Sequence, residues 1–165
     1  MEYLAKLGCL NERTVAVHCV ALSDHDIELL AESGASVVHC PVSNMRLGCG
    51  ASPVVKLLKA GVNVALGTDG AASACSLSMF EQMRTAGLIA KGFSQDPTQL
   101  TVNQIIRMAT INGANALKLD REVGSLAVGK SADLAAIDMS QLVTMPVLDV
   151  FSNVIYAVEA QCIHQ

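Results

Sequence analysis

Charge is scarce in this sequence: 16% of its 165 residues are Asp, Glu, Lys or Arg, against roughly 25% in an ordinary soluble domain. With 52% hydrophobic residues, that scarcity excludes a disordered chain, which needs the opposite balance. Long apolar runs are missing too. The longest stretch free of acidic and basic residues runs from Ser33 to Met45 and contains His39 and Pro41. A bilayer-spanning helix takes about 18–20 apolar residues, so no membrane partner is expected. There is no Lys/Arg cluster, the net charge is −4 and aromatics make up 3%. A nucleic-acid surface wants a basic stripe and stacking rings, so nucleic acid is excluded as a partner. The six cysteines (Cys9, Cys19, Cys40, Cys49, Cys75, Cys162) include no Cys-x-x-Cys pair, and most lie in apolar contexts such as AVHCV and VVHCP. The first residues, MEYLAKLGCL, show neither a basic leader nor a small-residue cleavage site. Reduced, mostly buried thiols of a cytoplasmic protein are therefore expected rather than disulfides. The apolar excess has to be buried inside protein or against a partner.

What is present is an alternation of periods. Val15–Val17, Val37–Val38 and Val62–Leu66 are short apolar runs, each leading to a polar residue: His18, His39, and Asp69 in Gly67-Thr68-Asp69-Gly70. Helical spacing separates them. Ser23 is placed to cap a helix carrying Ile27, Leu30 and Ala31 up to Gly34. Ser52-Pro53 opens a second helix, with Val54, Leu57 and Leu58 inward and Gly61 closing it. Ser78 with Glu81, and Thr101 with Gln104, are capping-box signatures; the second is followed by a helical pattern reaching Leu117. Strands without alternation suit a parallel sheet covered on both faces. Past Leu119 the chain becomes Gly-punctuated, and Ala132–Asp138 reads as a further strand.

Reactive groups in parallel α/β folds gather at the C-terminal ends of the strands, where the loops converge. His18, His39 and Asp69 each stand at such an end, two imidazoles and a carboxylate on one rim. That is chemistry for a metal-activated water: a histidine ligates or orients, and a carboxylate ligates and takes the water's proton. Each residue also has a structural reading: a hydrogen-bonded strand-end histidine for His39, a turn or cap for Asp69. Cys40 is discounted as a nucleophile beside His39, because neighbours in a strand face opposite ways. His25 reads as a solvated helix residue. A free-standing flavodoxin-like domain would want a phosphate-binding Gly loop after the first strand, and Cys19–Ser23 offers none.

The segments AVHCVALSD, VVHCPVSNMRLGCG, GVNVALGTDGAAS and GSLAVGKSADL resemble the C-terminal half of amidohydrolase-superfamily metal hydrolases. Within that superfamily they are most similar to the 5-methylthioadenosine/S-adenosylhomocysteine deaminases and the triazine and ammeline chlorohydrolases. The resemblance runs through almost the whole chain. It implies an α/β fold in which residues 1–119 form strands six to eight of a (β/α)8 barrel, with residues 120–165 an incomplete part of a composite β-sandwich. It also implies a divalent metal, usually zinc, and a purine nucleoside or triazine-like substrate. Asp69 is implied as metal ligand, proton acceptor and substrate contact, and His18 as the residue meeting the attacking water or leaving group. His39 and Asn44 fall on positions that either contact substrate or structure the loop. Ala74-Cys75-Ser76 departs from the Asn-rich stretch usual after GTDGAAS. The His-x-His pair and further histidine that complete the family's metal site have no counterpart, since the only histidines are His18, His25, His39 and His164. Glu2–Gly8 resembles the helix before the sixth strand, so the sequence is expected to begin inside a larger product. Alone it is expected to be inactive and prone to aggregate; its partner would be a missing N-terminal half or a further copy of itself. The leading expectation is part of a deaminase acting on a ring C–N bond; the alternatives are a non-catalytic half-barrel acting only by association, or a triazine-type chlorohydrolase in the full-length form.

Overall fold

A computed structural model describes residues 1–164. Three parallel strands, β1 (Val15–Val17), β2 (Ser36–His39) and β3 (Asn63–Leu66), form a sheet in the order β1-β2-β3. Val17 pairs with Val38, and Val38 in turn with Ala65. Helices α1 (Glu2–Lys6) and α2 (Asp24–Ser33) flank β1, and α3 (Pro41–Arg46) and α4 (Val54–Lys59) join β2 to β3. Beyond β3 come α5 (Ala71–Ala74), α6 (Met79–Ser94), α7 (Val102–Ala109) and α8 (Ile111–Ala116). The tail adds β4 (Ala136–Ile137), α9 (Val150–Tyr156) and β5 (Ile163–His164).

Local chemistry accounts for most of these boundaries. Ser23 accepts the Asp26 N–H, and the Asp26 side chain returns to Ser23, so α2 starts on a complete capping box and stops at Gly34 in the left-handed region. Thr101 and Gln104 do the same for α7. Two expectations shift. Pro53, not Ser52, occupies the cap position of α4; the Ser52 carbonyl accepts the Val54 N–H at 2.8 Å while its hydroxyl makes no cap bond. The helical pattern ending at Leu117 is broken at Thr110 (φ −130°, ψ −100°), which divides it into α7 and α8. Loop Cys40–Arg46, not expected to be helical, forms α3 with Pro41 in its first turn.

Period-two alternation gives the sheet two unlike faces. Val37 and Val64 point into the helical layer and are fully buried with Leu30, Leu57, Ile105, Met108 and Ile155. Fully burying one such side chain contributes about 1.5–3 kcal/mol. Ser36, Val38, Ala65 and Gly67 share the other face with Val15 and Val17, where Val17 stays 49% exposed. The expected two-sided burial therefore holds for β2 and β3 but not for β1. All six cysteines are free; Cys19, Cys40 and Cys162 are buried, whereas Cys9, Cys49 and Cys75 are exposed, which corrects the expectation that most are buried.

The tail is tied to this layer at several points. Lys130 Nζ donates to the carbonyls of Asp120 and Val123 and to Ser125 Oγ, closing the Gly-punctuated turn. Only Ala136–Ile137 of the expected Ala132–Asp138 strand pairs, antiparallel with β5. Asp149 caps α9 through the Ser152 N–H at 2.7 Å, Ile155 enters the main core, and Arg84 of α6 donates to the Val158 carbonyl at 2.9 Å. Gly124 sits at φ +87°, and a Cβ there would lie 2.7 Å from the Ala114 Cβ and 3.0 Å from the Ile111 Cα. Gly124→Ala meets both backbone strain and a collision, so we expect a loss of about 2 kcal/mol or more. Denaturant unfolding of the complete polypeptide checks this; an unchanged midpoint would refute the docking of this turn onto α8.

Candidate active site

Because β1, β2 and β3 are parallel, their C-terminal ends share one edge of the sheet. His18 follows β1, Asp69 lies past β3, and α3 rises from the end of β2 between them. Both outer residues sit in the left-handed region, His18 at φ +70° and Asp69 at φ +59°. A non-glycine residue held there costs on the order of 1–3 kcal/mol and persists only where its surroundings enforce it. For His18 the enforcing contact is its N–H, which donates to the Val38 carbonyl at 2.9 Å and carries the sheet ladder one step beyond β1.

Two consecutive residues of α3 then hold the two side chains. Ser43 Oγ donates to Asp69 Oδ2 at 2.6 Å, and the Gly70 N–H donates to Oδ1 at 2.7 Å. Asn44 Oδ1 lies 2.8 Å from His18 Nδ1. A carbonyl oxygen only accepts, so with this amide orientation Nδ1 carries the proton and Nε2 presents its lone pair. Ser43 and Asn44 are both buried, and Asn44 Nδ2 has no partner. Neighbours on a helix diverge by about 100°, which lets one dipeptide reach both flanking strand ends. Ser43 is a site residue that the sequence does not single out; its only signal there is its place beside Asn44.

Donated hydrogen bonds hold the Asp69 carboxyl at about 2, the Ser43 hydroxyl contributing most, followed by Ser73 and the Gly70 N–H. The group is thus ionised at neutral pH. Ser43→Ala removes the largest cause, so the Asp69 carboxyl should titrate at higher pH, nearer an ordinary carboxylate. A carbon-13 NMR titration of Asp69 reads this directly, and an unmoved midpoint would show that Ser43 does not set its charge. Cys40 is pushed up to about 11, chiefly by burial and then by the Asp69 charge, so at neutral pH it is a thiol and not a nucleophilic thiolate.

His39 is placed differently. It is 1% exposed, shares the face of Val37 that meets the helices, and makes no side-chain hydrogen bond through Nδ1. Burial, with a smaller contribution from His18, lowers it to about 4, so it is neutral at physiological pH. The His18–Asn44 and Ser43–Asp69 bonds do not include it. His25 is exposed beside Glu28, and His164 lies on the β4–β5 ribbon.

No three His, Cys, Asp or Glu side chains among the described residues converge as a metal cage. Asp69 is a single carboxylate whose two oxygens already accept hydrogen bonds. Zinc takes three protein donors even in its open, catalytic sites, so these residues alone do not fit a resident ion. No helix among them is long and apolar enough to cross a membrane.

Comparison with known proteins places this geometry in context. A protein from Moorella thermoacetica named 5-methylthioadenosine/S-adenosylhomocysteine deaminase is 50% identical over 152 residues, covering 92% of this chain and 36% of its own. The solved structure of an adenosine deaminase from Xanthomonas campestris with bound zinc superposes with a TM-score of 0.95 at 44% identity, over 98% of this chain and 37% of that one. An atrazine chlorohydrolase from Arthrobacter aurescens complexed with zinc superposes at 0.90 and 26% identity, over 98% and 36%. The chain thus spans little more than a third of the proteins it matches. The model of the amidohydrolase family matches residues 1–160, and to that family this chain belongs.

Proposed function

We propose that residues 1–165 are the C-terminal portion of a metal-dependent hydrolase that removes the exocyclic amine of a purine nucleoside resembling methylthioadenosine or S-adenosylhomocysteine. One observation carries the reading: His18 and Asp69 stand on one strand-end rim in enforced left-handed backbone, each gripped by one residue of the Ser43-Asn44 pair. Residues 1–119 are read as strands six to eight of a (β/α)8 barrel and 120–165 as part of a composite sandwich. In the complete protein Asp69 would give one donor to a divalent ion, zinc by analogy with the related structures, and the other donors would come from outside this chain. Free thiols throughout suit a reducing, cytoplasmic setting.

The reaction replaces a ring C–NH2 bond by C=O, with water entering and ammonia leaving. Two proton carriers are needed, one to deprotonate the water and one to protonate the amine. Asp69, ionised at neutral pH, accepts the water's proton. His18, its Nδ1 proton fixed on Asn44, offers Nε2 as acceptor and, once protonated, as donor to the departing nitrogen. Asn44 acts through His18, and a substrate contact from His39 would require its ring to leave the helical face.

Relatives at 44–50% identity named for nucleoside deamination favour this substrate class over a chlorotriazine, whose named hydrolase stands at 26%. A half-barrel acting only by association remains the second reading, favoured by the absence of a metal cage among the described residues. Ammonia release from methylthioadenosine by the complete polypeptide tests the proposal. Chloride release from a chlorotriazine, with no ammonia from the nucleoside, would overturn it.

A further inference from the structure

The side chain of His39, left out of the rim, lines a cavity of about 320 Å³ between α4 and α6 on the helical side of the sheet. Its walls are apolar: Val54, Ala86, Ile89, Ala90 and Phe93. Two further lining residues carry buried polar atoms without partners, Nδ1 of His39 and Oγ of Ser52, and both residues are more than nine-tenths buried. Buried polar atoms are paired in the great majority of cases, and an unpaired one marks a place where a partner is due. Two at one cavity are a stronger signal than either alone.

We propose that this cavity is a binding site, separate from the catalytic rim, for a small uncharged molecule that is mostly apolar and carries one hydroxyl or comparable hydrogen-bonding group. The volume lies at the lower end of small-ligand pockets, and the apolar lining with a few convergent polar atoms has their character. The lack of charge follows from the lining as well. Lys56, the one charged lining residue, is already bound to Asp24 at 2.7 Å and leaves no call for an anion. Ser94 at the other end spends its hydroxyl on the Ala90 carbonyl at 2.7 Å. Only His39 and Ser52 retain capacity, and burial keeps the imidazole neutral. A neutral imidazole and a hydroxyl can each donate or accept, which suits an alcohol better than a carboxylate or an ammonium. The site does not depend on the deaminase reading, since none of its residues belongs to the rim pairs.

Benzyl alcohol, with toluene as its hydroxyl-free analogue, tests the proposal on the chain co-expressed with the segment proposed to complete its barrel, the form expected to be monodisperse. Methyl NMR should show saturable benzyl alcohol shifts confined to Val54, Ala86, Ile89 and Ala90, with toluene binding about tenfold more weakly. Ser52→Ala should narrow that preference. Ala90→Leu, which fills the cavity, should abolish the shifts, and Phe93→Ala, at an exposed position that tolerates truncation, should weaken binding without disturbing the fold. Equal binding of both probes, or shifts spread over unrelated methyls, would overturn the site. So would ordered water alone on His39 and Ser52 in a crystal soaked with the alcohol.

Discussion

Asp69→Asn lowers kcat/KM for methylthioadenosine in the complete polypeptide by on the order of 10³ or more, with little change in unfolding midpoint. The substitution isolates charge from shape. An asparagine keeps a carbonyl oxygen that can still accept from the Ser43 hydroxyl or the Gly70 N–H, so the left-handed turn retains a hydrogen bond. What it loses is the ionised oxygen proposed to take the water's proton. An amide is no base near neutral pH, and as a neutral donor it holds a divalent ion poorly. Bound metal per chain should therefore fall together with the rate. Asp69 is exposed at the rim, so its side chain carries little of the packing energy and stability should move by less than about 1 kcal/mol. Ser43→Ala should fall between wild type and Asp69→Asn, because it leaves the carboxylate ionised but without the hydroxyl that holds its Oδ2 in place. A kcat/KM within about tenfold of wild type for Asp69→Asn would remove this residue from the chemistry and the proposed reaction with it.

The rim was legible in the sequence to the extent that it is local. A polar residue following an apolar strand needs no tertiary information, so His18 and Asp69 could be placed at strand ends directly. The Thr101–Gln104 box was equally readable and Ser23 could be placed as a cap, whereas of the box expected at Ser78–Glu81 only the Ser78 cap forms. What stayed hidden depends on contacts across the chain. Ser43 and Asn44 reach partners 26 residues away, and nothing near them in sequence says which strand ends they will clasp. The break at Thr110 lies inside an unbroken apolar period, and the Thr110 hydroxyl bonds back to the Ile106 carbonyl at 2.7 Å just where α7 ends. Ser52 looked like a cap because it precedes a proline, yet its hydroxyl is buried without a partner and its carbonyl takes the Val54 N–H. His39 was readable in principle: it lies two residues from Val37, so it shares the face that the core claims.

The second large effect concerns the open sheet face, and it follows from the apolar excess. The chain alone should purify as soluble aggregate or higher oligomer and melt without a single sharp transition. Joined to, or co-expressed with, the segment proposed to complete its barrel, it should become monodisperse and unfold cooperatively. β1 has three residues and pairs along one edge only, with β2. Its outer edge offers unpaired backbone groups, and Val17 stands 49% exposed on the face that a closed barrel would bury. Leu126 and Leu148, at 86% and 90%, are further exposed apolar side chains in the tail. Exposed strand edges and contiguous apolar patches are association sites. Covering each such side chain contributes about 1.5–3 kcal/mol. A few of them rival the roughly 5–15 kcal/mol that separates a folded domain from its unfolded chain. Light scattering coupled to size-exclusion chromatography, with calorimetry on the same samples, decides the matter. A monomeric lone chain with one sharp cooperative melt would show that the sheet needs no partner, and its excess of apolar residues would then be satisfied by the helical layer alone.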